Sequence, residues 1–323
     1  MKTYVLLFFT CLSVIDLFAQ NKLPFAKYYC SPCGCSNDYK DLDSAGKCGD
    51  CGMWLMQKGI RNFSMPSVSA NGILAYVADI DGGRREIYYG QVNSVAETRV
   101  GEGSLPRISA SGKQILYSRG DSLICMYDLT NGNTINLTPS IGLKNLQTPD
   151  WGPGNSIIFA SGEFPDLKIY SFAIPEKKLT LLTPEEGLRY GCVLSPDKKS
   201  IAYRCAKGKP GPGMKKGIAI LDLSTREERF ITNTGEYCSW SPDGKSLAFQ
   251  WPDSTKGFCI YTVNADGTGL KMIASANGHD AELPAWSPDG KTIYFEKNER
   301  RGNWEIWKMN VDGTGQQRLL PKG

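Results

Sequence analysis

From about residue 60 to the end of the chain, apolar residues come in short runs of four to eight that alternate with polar ones, and each run stops at Gly, Pro, Asp, Asn or Ser. Period-two alternation with β-branched and aromatic residues predicts half-buried strands, and the breakers predict tight turns. The last stretch reads as four strands, at about Leu283–Trp286, Thr292–Lys297, Trp304–Asn310 and Gln316–Leu320. The same phrase recurs: Trp240-Ser-Pro-Asp-Gly-Lys-Ser-Leu-Ala-Phe249 and Trp286-Ser-Pro-Asp-Gly-Lys-Thr-Ile-Tyr-Phe295, followed by Asp-Gly-Thr-Gly at 266–269 and 312–315. Weaker copies are Ser69-Ala-Asn-Gly, Ser109-Ala-Ser-Gly-Lys, Gly152-Pro-Gly-Asn and Ser195-Pro-Asp-Lys-Lys, so the anchors stand at 69, 109, 152, 195, 241 and 287.

Six copies of about 44 residues, each with four short strands, predict a six-bladed β-propeller over residues 60–323. The W-S-P-D-G-K-x-[IL]-x-F unit resembles the repeat of the TolB-like propellers (the WD40-like or PD40 repeat), also found as the propeller domain of prolyl-oligopeptidase-type enzymes. That resemblance implies protein–protein interaction near the cell envelope. The companion α/β domain of that family is expected to be replaced here by a cysteine module, so the family's partners are not carried over.

The N-terminus has a different pattern. Lys2 is followed by a nearly unbroken apolar run from Tyr4 to Ile15 and by Leu17-Phe18-Ala19 before Gln20. This is the layout of a secretory signal peptide over residues 1–19, and the run is shorter than the roughly 20 residues of a membrane span. An exported chain, periplasmic or extracellular, follows, and its cysteines then face an oxidising compartment.

Residues 20–57 hold two C-x-x-C-G units, Cys30/Cys33/Gly34 and Cys48/Cys51/Gly52, with Cys35 beside the first. Each unit closes a turn that aims two sulfurs at one point, and two such knuckles make a four-sulfur zinc-ribbon-like site. A segment this short and this poor in apolar residues needs a metal or disulfides to hold it together. Tyr29-Cys30 and then Gly46-Lys47-Cys48, Cys51-Gly52-Met53 and Leu55 resemble the small heavy-metal-binding domain of bacterial metal-efflux components and metal-transporting ATPases. Where that domain carries Cys-Pro-Met-His, this chain has Cys30-Ser-Pro-Cys33-Gly-Cys35 and no histidine. Zn²⁺ or Cu⁺ at Cys30, Cys33, Cys48 and Cys51 is one reading, with Cys35 a fifth candidate ligand; two disulfides with Cys35 as a spare thiol is the other.

Charge and composition remove some functions. The balance of 37 Lys+Arg against 33 Asp+Glu gives +4, too small to favour nucleic acid as a partner, and a single histidine leaves little room for multi-histidine metal chemistry. No G-x-S-x-G occurs. The Gly-Lys-Ser/Thr matches at 244–246 and 290–292 lack a P-loop's first glycine, and the Asp-Gly turns lack the spaced carboxylates of a calcium loop.

The longest connections, 139–148, 206–216 and 274–282, fall on one rim of the expected channel. His279, Asp280 and Glu282 on that rim, with Lys207, Lys209, Lys215 and Lys216 on a basic flap, are the candidate partner contacts. Three residues before successive anchors stand Pro66, Pro106, Pro149, Cys192, Cys238 and Pro284, and Cys192 is expected roughly opposite Cys205. Cys192, Cys205 and Cys238 thus form a candidate thiol cluster, read as a Cys192–Cys205 disulfide, a thiol metal site or plain buried thiols. The sequence favours a non-enzymatic, monomeric binding or scaffold protein. Metal handling through the knuckle is the alternative, and a glycan lyase or hydrolase working in the channel a third, which would need carboxylates on the mostly apolar inner strands.

Overall fold

The computed structural model describes residues 28–30, 35–37, 40, 42–44, 47–52, 55–57, 61–80, 84–94, 96–120, 122–183, 186–208, 213–275, 280–298 and 303–320. Six antiparallel four-stranded sheets follow one another along the chain, each with its strands in sequence order from inside to outside. The inner strands are Arg61–Val68, Ser104–Ile108, Leu146–Trp151, Leu188–Leu194, Glu236–Trp240 and Ala281–Trp286. The fold is therefore all-β, a six-bladed propeller. Blade six follows the expected strands closely, at Ala281–Trp286, Thr292–Asn298, Trp304–Asn310 and Gln317–Leu320. One element was not anticipated: the 139–148 connection includes a short helix, Thr138–Ile141, entered through a proline and closed by left-handed Gly142.

The repeated turn explains its own sequence. In Ser241-Pro-Asp-Gly-Lys, the Ser241 hydroxyl and the Lys245 N–H both donate to Asp243, and Ser246 N–H donates back to Ser241 Oγ. Ser195/Asp197 and Ser287/Asp289 repeat the pattern. In the Asp-Gly-Thr-Gly turns, Asp266 and Asp312 each accept from the N–H and hydroxyl of the threonine two residues on. These carboxylates brace turns, and serine and threonine hydroxyls hold them below the usual carboxylate range.

All six inner strands carry the same bulge. Their register with the second strand slips between Ser64/Ser67, Ser104/Arg107, Gln147/Asp150, Tyr190/Val193, Glu236/Ser239 and Glu282/Ala285. The residue four before each anchor is left-handed: Met65, Leu105, Thr148, Gly191, Tyr237 and Leu283, with φ of 46° to 64°. Five of the six carry a Cβ, in a region that non-glycine residues rarely adopt. At four of them the next residue is proline, which steers its predecessor away from the right-handed helical region. A bulge leaves an amide outside the ladder. Adjacent blades supply the acceptors: Leu283 N–H donates to Gln250 Oε1 at 2.7 Å, Met65 N–H to Glu296 Oε2 at 2.7 Å, and Gly191 N–H to Thr148 Oγ1 at 3.0 Å.

The sheets pack face to face with an apolar core between each neighbouring pair. Each blade comes from one contiguous piece of chain, and among the described residues no exchanged strand links blade six to blade one. That seam is held by Met65 on Glu296, by Asn303 Nδ2 and Trp304 N–H on Asn62 Oδ1, and by Phe63, Leu74, Tyr76 and Ala78 against Ala285, Tyr294, Ile306 and Leu319.

In the N-terminal segment, Tyr28–Tyr29 pairs with Met56–Gln57, and Tyr28 exchanges both backbone hydrogen bonds with Leu42 at 2.8 Å. Its small core is Cys30, Cys48 and Leu55. The expected signal peptide lies outside the described residues. Among the described residues, no helix is long and apolar enough to cross a membrane.

Candidate functional sites

Four sulfurs converge in the N-terminal segment: the Sγ atoms of Cys30, Cys35, Cys48 and Cys51 all lie within 4.8 Å of one another. Cys30 to Cys51 is 3.4 Å, Cys35 to Cys30 is 3.7 Å and Cys35 to Cys48 is 3.9 Å. A tetrahedral ion with metal–sulfur bonds of about 2.3 Å would space its sulfurs about 3.8 Å apart, so this donor set suits such an ion. Backbone N–H groups of Cys51 and Asp50, with Asn37 Nδ2 at 3.6 Å, face the Cys48 sulfur and hold its thiol down at about 6. That is the work expected of the glycine-turned knuckle, which leaves amides free to meet a thiolate. Cys33, expected in the tetrad, lies outside the described residues, and Cys35 stands in the group. Cys30 and Cys48 are buried, Cys35 is half-buried and Cys51 is exposed.

At the propeller axis the left-handed residues converge. Met65, Leu105, Tyr237 and Leu283, with the prolines and Cys238 beside them, surround a void of only about 10 Å³, roughly the space for one water. One residue earlier on the inner strands of blades five and six stand Glu236 and Glu282. Glu282 lies directly across from Glu296, and Glu236 from Gln250. Gln250 Nε2 donates to Glu282 at 2.9 Å, and the Tyr190 hydroxyl donates to Glu236. Burial, then the charges of Glu296 and Asp280, push the Glu282 carboxyl well above its usual value. Burial raises Glu296 to about 7, against the opposing pull of the Met65 N–H and Arg85. Two carboxyl groups directly across a strand pair repel when both are ionised, so the pair retains a proton near neutrality.

The rim candidates divide. Asp280 is fixed in place, with Oδ1 accepting from Phe258 N–H at 2.9 Å and its carbonyl from Asn298 N–H. His279 and Lys209 lie outside the described residues. Lys207 belongs to the end of a strand: its Nζ lies 2.6 Å from Glu228 and over the Phe230 ring. Lys215 and Lys216 open the facing strand and are exposed. The basic flap is thus shorter than expected, with strand pairing running to Lys207–Lys215.

Two expectations are corrected. Cys205 stands opposite Arg189: the pairs Leu194–Ile201 and Val193–Ala202 already aim Cys192 at Tyr203, and the bulge then places Cys192 outside the ladder. Cys192 and Cys205 share one apolar core, while Cys238 belongs to the next, and burial pushes the Cys205 and Cys238 thiols up to about 12 and Cys192 higher still. Cys205 adjoins a buried ionic network in which Glu228 receives Tyr203 at 2.6 Å, Arg189 at 3.4 Å and Lys207. The inner strands also carry more charge than expected: besides Asp150, an exception visible in the sequence and paired with Arg107 at 3.8 Å, they hold Glu236 and Glu282. Glu236, Glu296, Gln250 and Arg107 were not singled out by the sequence reading. A signal existed: Arg204, Gln250 and Glu296 each follow the aromatic of Ala-Tyr, Ala-Phe or Tyr-Phe at one repeat position, a polar residue in an otherwise buried strand.

Residues 213–323 match the family model of PD40, the TolB beta propeller domain. No curated protein matches the chain in sequence. Among solved structures, the chain resembles TolB from Acinetobacter baumannii at 18% identity and a TM-score of 0.64, over 77% of this chain and 64% of that one. It spans less than two thirds of that protein's length. It also resembles a putative TolB from Agrobacterium tumefaciens, at 19% identity and TM-score 0.62, over 73% of this chain and 88% of that one. An oligogalacturonate lyase from Vibrio parahaemolyticus is similar at 12% identity and TM-score 0.53, over 85% and 83%. What these likenesses establish is the fold: a TolB-like β-propeller.

Proposed function

We propose that this is an exported, non-enzymatic binding protein whose propeller mouth receives a basic segment of a partner protein, while the cysteine segment, residues 20–57, is a separate metal-braced module. The observation that carries the reading is the cluster of Glu236, Glu282 and Glu296 on the inner and second strands of blades five and six. The raised Glu282 and Glu296 carboxyl groups gain most from an incoming cation, because the Lys or Arg of a partner offsets the desolvation and like charge that disfavour their ionised forms. The solved TolB structures support a binding role by likeness of fold. The test is photo-crosslinking from Asp280 or Lys216 in producing cells. A discrete protein adduct that disappears when Glu236 and Glu282 become Gln supports the reading; no adduct, or one indifferent to those changes, refutes it.

Zn²⁺ or Cu⁺ would be held by Cys30, Cys35, Cys48 and Cys51, and once bound would cross-link the segment in place of an apolar core. Cys51, exposed and near the Cys30 sulfur, favours a second reading in which the module exchanges metal and does not merely store it. Metal content and thiol count on protein purified without chelator test both. One ion per chain with four protected thiols supports the site, and fast transfer to a competing chelator supports exchange. Disulfides among these cysteines and no metal refute it. The lyase likeness keeps an enzyme reading in view, with Glu236, Glu282 and Glu296 as its candidate carboxyl groups.

A further inference from the structure

Between blades six and one lies a cavity of about 250 Å³. Its origin is one position of the repeat. The second residue of each blade's second strand faces a third-strand residue, and in five blades the pairs are Ile115–Tyr127, Ile157–Phe172, Ile201–Leu221, Leu247–Val263 and Ile293–Met309. All five partners are buried apolar side chains that fill the gap to the preceding blade. In blade one the pair is Leu74–Gly90. A Cβ at Gly90 would lie 2.4 Å from the Ala96 carbonyl oxygen, so the folded-back connection requires glycine here and the filling side chain is absent. Blade one lacks its plug at the interface where the last blade meets the first.

The walls are Phe63, Leu74, Tyr76 and Val92 of blade one with Leu319 and Leu320 of blade six, and one end is polar. There Arg61 Nη1 pairs with Glu97 at 2.5 Å, and the Tyr76 hydroxyl donates to the other Glu97 oxygen. The guanidinium lies 4.3 Å from the centre of the Tyr88 ring. Both Glu97 oxygens are therefore engaged, while Arg61 Nη2 has no acceptor. What this end lacks is an acceptor oxygen, not a cation, and Nη2, itself shielded, meets one from the cavity when the Arg61 side chain turns. Arg61 and Glu97 keep 30% and 32% of their side-chain surface, so the polar end opens to solvent. An engineered cavity of about 150 Å³ holds benzene, and this one has room for a substituted ring.

We propose that the seam cavity binds a small carboxylate on an aromatic or branched apolar body, with the body between Phe63, Leu74 and Leu320 and the carboxylate on Arg61. Calorimetric titration of the full chain with phenylacetate, and with its neutral analogue phenylacetamide, tests this. Saturable one-site binding of phenylacetate is expected, weaker by roughly tenfold or more for phenylacetamide and for Arg61→Gln, and abolished by Leu320→Trp, which fills the cavity. Thermal melts confirm that each variant is folded; if Arg61→Gln is not, the two probes decide the charge and Leu320→Trp decides the place. No saturable binding at about 20 mM, binding undiminished in Leu320→Trp, or equal affinity for the two probes would each overturn the proposal.

Discussion

Glu296 links blade six to blade one and is, with Glu282, one of two carboxyl groups that burial raises at the propeller mouth. It accepts the bulge amide of Met65 from across the seam, faces Glu282 over the strand pair and is only 6% exposed. Its carboxyl rises from an ordinary 4.5 to about 7 in the fold. The sign follows from proton counting: between these two values the folded state binds more protons than the unfolded one, so stability falls as pH rises. At about 1.4 kcal/mol per pH unit, the ceiling of that loss is about 3 kcal/mol, fully developed above pH 7. Glu296→Gln keeps an oxygen for Met65 N–H and removes the charge. The variant should melt higher than the parent at pH 8, by up to about 10 °C for a domain of this size, and should match it near pH 4.5. Its stability should also vary less between pH 5 and 8, any remaining slope belonging to Glu282. Glu296→Ala, which abandons the amide, should be destabilised by about 1–3 kcal/mol at pH 5, where charge no longer matters. Melting curves from pH 4.5 to 8.5 read all of this. A parent with flat stability over that range, or a Gln variant weaker than the parent at pH 8, would refute the reasoning.

The other interblade links make comparable predictions. Gln250→Ala strands the Leu283 N–H and one Glu282 oxygen, and urea titration should show a loss of about 1–3 kcal/mol. Glu228→Ala leaves Arg189, which is 1% exposed, without its carboxylate, and should cost about 3–5 kcal/mol by the same assay. Cys192, Cys205 and Cys238, buried and held as neutral thiols, should react with a thiol reagent at pH 8 only after unfolding; rapid labelling of the native protein would contradict their placement. Serine at both Cys48 and Cys51 should abolish metal retention and order in residues 28–57 while leaving the propeller melt unchanged, as limited proteolysis and calorimetry would report.

The repeat was legible because each blade restates the same local chemistry. Ser-Pro-Asp-Gly-Lys makes its turn through Asp243 and Ser241 within six residues, so neither strand nor turn needs information from elsewhere. The cysteine knuckles were legible for the same reason, with Cys35 a fifth candidate beside them, but which cysteines meet was not; Cys33 lies outside the described residues. Cys35 follows Cys30 outside the C-x-x-C spacing, and only the folding of the segment brings it within 3.7 Å of the Cys30 sulfur. Cross-strand pairing failed at Cys192 because the hairpin closes one residue nearer its turn than the spacing suggested and because the bulge, which recurs four residues before every anchor, then shifts the register again.

Sequence alone determined the number of blades, the strand order and the turns, since these rest on alternation and on side chains bonding to their own neighbours. The functional surfaces were decided by the tertiary structure. Glu282 and Glu296 oppose each other, Glu236 joins them from the next blade, and Met65, Leu105, Tyr237 and Leu283 meet around one small void, through contacts that no local pattern announces. The seam cavity combines both kinds of cause. Gly90 is visible in the sequence, but its meaning depends on blade six lying against it, where a side chain present in every other blade is missing.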